Sequence, residues 1–253
     1  GYQANPAFAM EALASAVKAG AEVLALCDTN GGTFPEDIAR ITRAVAERFP
    51  QVTVGIHTHN DSGLAVANSL AAVEAGAAHV QGTYLGFGER SGNANLSTII
   101  PNLQLKRGYV CIPDSNLPQL TDTARAMAEV ANIPLGRGEP YVGASAFAHK
   151  AGMHADGVIK NSTSFEHIRP ELVGNERRFL MSEISGRTAV LEKIRRYCPD
   201  INKESPELTR IMEELKRQEL EGYQFIRDSD AHYLWDISEP EYFLKLPELT
   251  PAA

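Results

Sequence analysis

His57-Thr58-His59, followed at once by Asn60-Asp61, is the strongest chemical signal in the chain. Residues i and i+2 of a β-strand point to the same face, so two histidines closing a strand project their imidazoles together. Neutral imidazoles side by side can bind one divalent cation. The plainer reading is two polar side chains satisfied by hydrogen bonds at a strand end.

Further motifs accompany the pair. Gly86-Phe87-Gly88-Glu89-Arg90-Ser91-Gly92-Asn93 contains GxG, but its spacing is wrong for a dinucleotide loop and Glu89 would repel a pyrophosphate. The segment reads either as a glycine-rich turn with an internal Glu89–Arg90 pair, or as a supporting loop that lets Asn93 offer a carbonyl oxygen beside His57 and His59. In Asp28-Thr29-Asn30-Gly31-Gly32, Thr29 can donate its hydroxyl to a substrate carboxylate, although an Asx-type turn leading into a helix explains the same residues. His149 and His154 are five apart and do not share a helical face, so a common metal is not expected. His154 with Asp156 two residues on can form a positioned acid/base, or be structural like His79, His167 and His232.

These motifs need strands and helices to hold them. Apolar runs at 23–27, 52–56 and 79–83 read as strands, the first of them continuous enough to be buried on both faces. Helical spacing covers 7–18, 35–49 and 63–75, with Pro6 and Pro35 at helix starts and Gly20 and Gly76 at helix ends. Repeated βα units predict a parallel sheet with helices outside, and each polar motif follows the C-terminal end of a strand, where such folds place active sites. Three strands cannot close a barrel, which takes eight. Residues 105–144 are broken by Pro113, Pro118, Pro134 and Pro140 around one helix at about 117–131, and 145–222 reads as mainly helical, with amphipathic spacing at 187–197 and 206–221.

Composition bounds the reading. A net charge of −8 with 24 Lys and Arg argues against a nucleic-acid surface and for a cytoplasmic enzyme. No apolar run reaches the ~18 residues of a membrane span. Cys27, Cys111 and Cys198 are too sparse for a zinc finger and read as reduced thiols. The opening Gly1-Tyr2-Gln3 suggests a piece of a longer protein, with no signal peptide to be read.

Taken together, the chain resembles the family of 2-isopropylmalate, homocitrate and citramalate synthases, relatives of 3-hydroxy-3-methylglutaryl-CoA lyase. The resemblance is carried by Leu26-Cys27-Asp28-Thr29-Asn30-Gly31-Gly32-Thr33, Gly55-Ile56-His57-Thr58-His59-Asn60-Asp61 and Gly88-Glu89-Arg90-Ser91-Gly92-Asn93-Ala94-Asn95. Ala146-Phe147-Ala148-His149-Lys150-Ala151-Gly152-Met153-His154 and Glu171-Leu172-Val173-Gly174-Asn175 extend it. Ser182-Glu183-Ile184-Ser185-Gly186-Arg187 and Glu221-Gly222-Tyr223-Gln224-Phe225 resemble the long citramalate synthase branch in particular.

The resemblance implies an α/β fold: the C-terminal part of a (β/α)8 TIM barrel, strands 6–8, followed by a mainly helical subdomain region. It divides the chain into a partial barrel (1–110), a linker and first subdomain (111–144), a second subdomain (145–230) and a tail toward a regulatory domain (231–253). The first five strands, with an aspartate ligand, an arginine and a glutamate base, would lie outside the chain, leaving it inactive alone and exposing the apolar faces of Leu24, Leu26, Val54 and Ile56. The implied activity is condensation of acetyl-CoA with a 2-oxo acid in branched-chain amino-acid biosynthesis, with pyruvate favoured. The rivals are a hydroxy-acyl-CoA lyase or aldolase, and a catalytically silent chain.

Carried over by position, His57 and His59 become ligands of a divalent cation (manganese, magnesium, zinc or cobalt), with Asn93 a third ligand or close neighbour. Thr29 meets the 2-oxo acid's carboxylate. His154, supported by Asp156, reaches into the partner subunit of a homodimer. Phe165 stands where relatives commonly have tyrosine. No nucleic-acid or membrane partner is implied.

Overall fold

In the computed structural model, residues 1–150, 157, 158, 160–180, 190, 191, 194, 195 and 198–220 are described. They fall into two compact units, residues 1–180 and, from 181 onward, a second.

The first unit opens with three βα repeats in sequence order. Helix α1 (Pro6–Lys18) starts on Pro6, with Asn5 accepting a hydrogen bond from the Phe8 amide as an N-cap. Strand β1 (Val23–Asp28) follows, then α2 (Pro35–Arg48), β2 (Thr53–Thr58), α3 (Ala65–Glu74) and β3 (His79–Gln81). The strands pair in parallel in the order β1-β2-β3, with Cys27 opposite His57 and His57 opposite Gln81. This is the expected α/β arc of a barrel. Helix α4 (Leu96–Pro101) and helix α5 (Leu120–Val130) come after it.

Alternate strand positions face the helices. Leu24 and Val54 pack with Val45 and Phe49 of the α2 region and with Leu13 and Val17 of α1, while Ile56 packs with Ile38, Ala72 and Ala77. This corrects the expectation that these apolar faces would be bare: Leu24 is 4%, Val54 3% and Ile56 1% exposed, and Leu26 is half-buried against the same clusters. Strand side chains stand perpendicular to the sheet. Among the described residues no strand pairs with the outer side of β1, which bears on its backbone groups and does not uncover the helix-facing side chains. Along that edge runs a cleft of about 660 Å³ lined by Tyr2, Leu13, Cys27, Thr29 and Ile41 among others.

The region after residue 144 adds one short ladder that the sequence reading did not include. Strands β4 (Ala148–Lys150) and β5 (Arg178–Leu180) pair in parallel, with short 3-10 turns at Ser162–Ser164 and Pro170–Val173 between them. Tyr141, Val142, Phe147 and Val173 bury themselves against Leu120 and Ala124 of α5, forming a core of their own. In the second unit, α6 (Pro206–Leu220) places Leu208 against Val190 and Leu191.

Candidate cation site at the sheet rim

The rim is built on β2. Val54, Ile56 and Thr58 are buried toward the helices, so period-two alternation turns His57 and His59 to the opposite face. Thr58 anchors the strand end, its hydroxyl donating to Ala65 O (2.9 Å) and meeting Ser69 Oγ at 3.0 Å. Asn60 Oδ1 accepts from the Ala65 amide at 3.1 Å and holds the start of α3. The two imidazoles meet with their Nε2 atoms 3.2 Å apart. Burial, and then the neighbouring His59, hold the His57 pKa below its ordinary value, which keeps its lone pair available near neutral pH.

Asn93 arrives from the loop after β3 as an antiparallel bridge partner of His59; Ala94 N donates to Thr58 O at 3.0 Å and Asn60 N to Gly92 O at 2.9 Å. Its Nδ2 donates to Phe87 O at 2.9 Å, which fixes the sense of the amide. Phe87 O also accepts from Thr83 Oγ1 at 2.5 Å. A Cβ on Gly88 would occupy the space of the Asn93 amide, so only glycine lets the loop close this tightly. Asn93 Oδ1 and His59 Nδ1 are left buried with no hydrogen-bond partner. Buried polar atoms without partners are rare and cost about 1–3 kcal/mol each, so they call for an explanation.

The three rim loops are tied by one side chain. Arg90, at φ 54°, donates from Nε and Nη2 to the two oxygens of Asp61 (2.7 and 3.0 Å) and from Nη2 to Thr29 O (2.7 Å). The Arg90 hydrogen bond is the main reason the Asp61 carboxyl is held below the usual carboxylate range. Gly31, at φ 64°, leaves the room that Asp61 fills. The expected Glu89–Arg90 pair exists only as a 3.6 Å contact, with Glu89 largely exposed. In the first loop, Asn30 Oδ1 accepts from Gly32 N (3.0 Å), the Asx-type turn weighed for this segment, and Thr29 lies exposed at its crest.

The structure thus brings His57, His59 and Asn93 together, with Arg90 and Thr29 on the adjoining loops. Among the described residues, no three His, Cys, Asp or Glu side chains are placed to hold a metal; the polar atoms gathered at this rim are two imidazoles and an amide oxygen. His154 and Asp156 lie outside the described residues. His149 is half-buried, with its Nε2 3.0 Å from Glu166 Oε1. Sequence reasoning missed Glu139, which meets Asn95 at 2.6 Å across 44 positions and lines a cavity of about 220 Å³ with Asn60, Ser91, Asn93 and Asn95. A glutamate in a Pro- and Gly-rich linker carries no local signal of that contact.

Residues 2–127 match the family model described as HMGL-like, and residues 141–221 the one described as homocitrate synthase post-HMGL domain-like. The chain belongs to the HMGL-like family. Within this family it is 53% identical over 225 residues to an (R)-citramalate synthase of Aquifex aeolicus, covering 89% of this chain and 43% of that one. An (R)-citramalate synthase of Synechocystis is 51% identical over 234 residues (89% and 42%). A 2-isopropylmalate synthase of Lactococcus lactis is 36% identical over 236 residues (91% and 45%). The higher identities lie on the citramalate side. The chain spans less than half the length of these curated relatives.

Proposed function

We propose that this chain carries the divalent-cation centre of an enzyme that condenses acetyl-CoA with a 2-oxo acid and hydrolyses the thioester. Pyruvate, giving citramalate, is the favoured acceptor, and 2-oxoisovalerate, giving 2-isopropylmalate, the next. The carrying observation is the His57–His59 pair, Nε2 atoms 3.2 Å apart, beside an Asn93 oxygen buried without a partner, in a chain 53% identical to an (R)-citramalate synthase. Two lone pairs and an orphaned amide oxygen at one strand rim fit a divalent cation.

When bound, such a cation supplies Lewis acidity that polarises the acceptor's keto oxygen and stabilises the charge developing there. His57 and His59 hold it through Nε2 and Asn93 through Oδ1. Thr29 donates its hydroxyl to the acceptor's carboxylate, on a loop whose backbone Arg90 fixes. The acetyl methyl is a weak acid, and His154, supported by Asp156, assists in moving its proton. We place the enzyme in the cytoplasm as a homodimer in which the segment bearing His154 serves the partner's site; among the described residues no helix is long and apolar enough to cross a membrane.

The test is to mix the purified chain with acetyl-CoA, pyruvate and Mn²⁺, with and without the N-terminal half of the Aquifex aeolicus enzyme, and to follow free thiol. Release that needs both the added half and pyruvate supports the proposal. Formation of a 2-oxo acid from a hydroxy-acyl thioester would instead make it a lyase, and silence in every mixture would leave a non-catalytic chain.

A further inference from the structure

Glu139 falls between the two family matches, which end at residue 127 and resume at 141. It is nonetheless built into the rim. Its amide donates to Gly136 O (3.2 Å) and its carbonyl accepts from Gly143 N (2.9 Å), while Ser145 N donates to Arg137 O (2.7 Å). Gly143 has no room for a side chain against the backbone of Arg137 and Glu139. The carboxylate so held accepts from Asn95 Nδ2 at 2.6 Å. Asn95 has no freedom to turn away, because its Oδ1 accepts from both Ser97 N (3.0 Å) and Ser97 Oγ (2.6 Å).

Asn95 and Asn93 lie two residues apart on one short extended segment and both line the 220 Å³ cavity. The segment is stretched between two strand ends: Asn93 bridges His59, Asn95 bridges Thr83, and Thr83 N and Leu96 N bond to Ala94 O (3.0 Å) and Thr83 O (2.9 Å). A shift of Asn95 therefore pulls directly on Asn93. A carboxylate acceptor gives a bond roughly twice as strong as a neutral one.

We propose that Glu139 is a positioning residue of the cation centre: through Asn95 it fixes the segment that presents the unpartnered Asn93 oxygen to the two imidazoles. This rests on reading His57, His59 and Asn93 as that centre. Groups hydrogen-bonded directly to metal ligands typically govern affinity by ~10–100-fold; Glu139 acts one contact further out, through Asn95, so the low end of that range applies.

The probe is Co²⁺ titrated into the whole chain, read by visible absorption and by affinity. Glu139→Ala weakens Co²⁺ binding about tenfold and alters the absorption band, whereas Glu139→Gln, which keeps the acceptor oxygen, recovers most of the loss. If Glu139→Ala does not fold, Glu139→Asp sets the carboxylate back by one methylene and weakens binding in the same direction. Should these variants bind Co²⁺ as wild type does while His57→Ala does not, only the role of Glu139 falls. Should wild type and His57→Ala bind alike, or neither bind, the cation centre falls and Glu139's role with it.

Discussion

His57 and His149 are both imidazoles on strands of parallel pairs within one compact unit, and the fold treats them oppositely. Around His149 the valences are closed. Glu166, with 2% of its side chain exposed, accepts from His149 at 3.0 Å and from Arg177 Nε and Nη2 at 2.6 Å each. At the β2 rim they are open: two nitrogens face each other, and His59 Nδ1 and Asn93 Oδ1 have no partner. Buried polar groups that satisfy one another hold a fold together, whereas a buried amide oxygen left over beside two facing imidazole nitrogens leaves a place for an ion.

The contrast can be broken most directly at the rim. His57→Ala or His59→Ala should lower Co²⁺ affinity by more than about 100-fold, since it removes a ligand outright and not merely a neighbour of one. The metal-free unfolding transition should scarcely move. Undiminished cobalt absorption would erase the distinction between the two regions.

The converse substitution lies in the closed network. Glu166→Ala removes the buried carboxylate that His149 and Arg177 share and should cost about 2 kcal/mol in urea unfolding, with Co²⁺ affinity unchanged. A stability loss below about 0.5 kcal/mol would show that the network contributes little.

Acid sharpens the same point. Burial alone would raise the Glu166 pKa, but the hydrogen bonds and charges of Arg177 and His149 outweigh it and hold it below the ordinary value. A depressed folded pKa contributes stability that is fully present above the unfolded value of about 4.3 and is lost as pH falls through the lower folded one. Glu166→Gln should therefore flatten the fall of stability below about pH 4.3, and a slope identical to wild type would count against the assignment. The smallest effect belongs to an exposed pair: Arg40→Ala, which removes a surface contact to Asp37 at 2.6 Å, should change stability by less than about 0.5 kcal/mol.

Much of the rim is legible before any folding is known. The HxH spacing puts both imidazoles on one strand face, and the three βα units place that face at the C-terminal ends of parallel strands. Arg90 is half legible. Its sequence neighbour Glu89 offers an obvious pair, yet the guanidinium crosses to Asp61 and Thr29 because a positive φ at Arg90 and the space beside Gly31 aim it there. The β4–β5 ladder is not legible, since Ala148–Lys150 is too short a run to carry a period and its partner lies about thirty residues on.

By itself the sequence determined what is local: strand alternation, helix starts at Pro6 and Pro35, glycine-bearing loops, and the residue types that can bind a cation. Tertiary structure decided which distant groups meet, among them Asn93 with His59, Asn95 with Glu139 and His149 with Glu166. The reason is physical. Periodicity follows from backbone geometry within a few residues, whereas contacts between separate segments depend on packing and loop closure across the whole unit, which no short window of residues encodes.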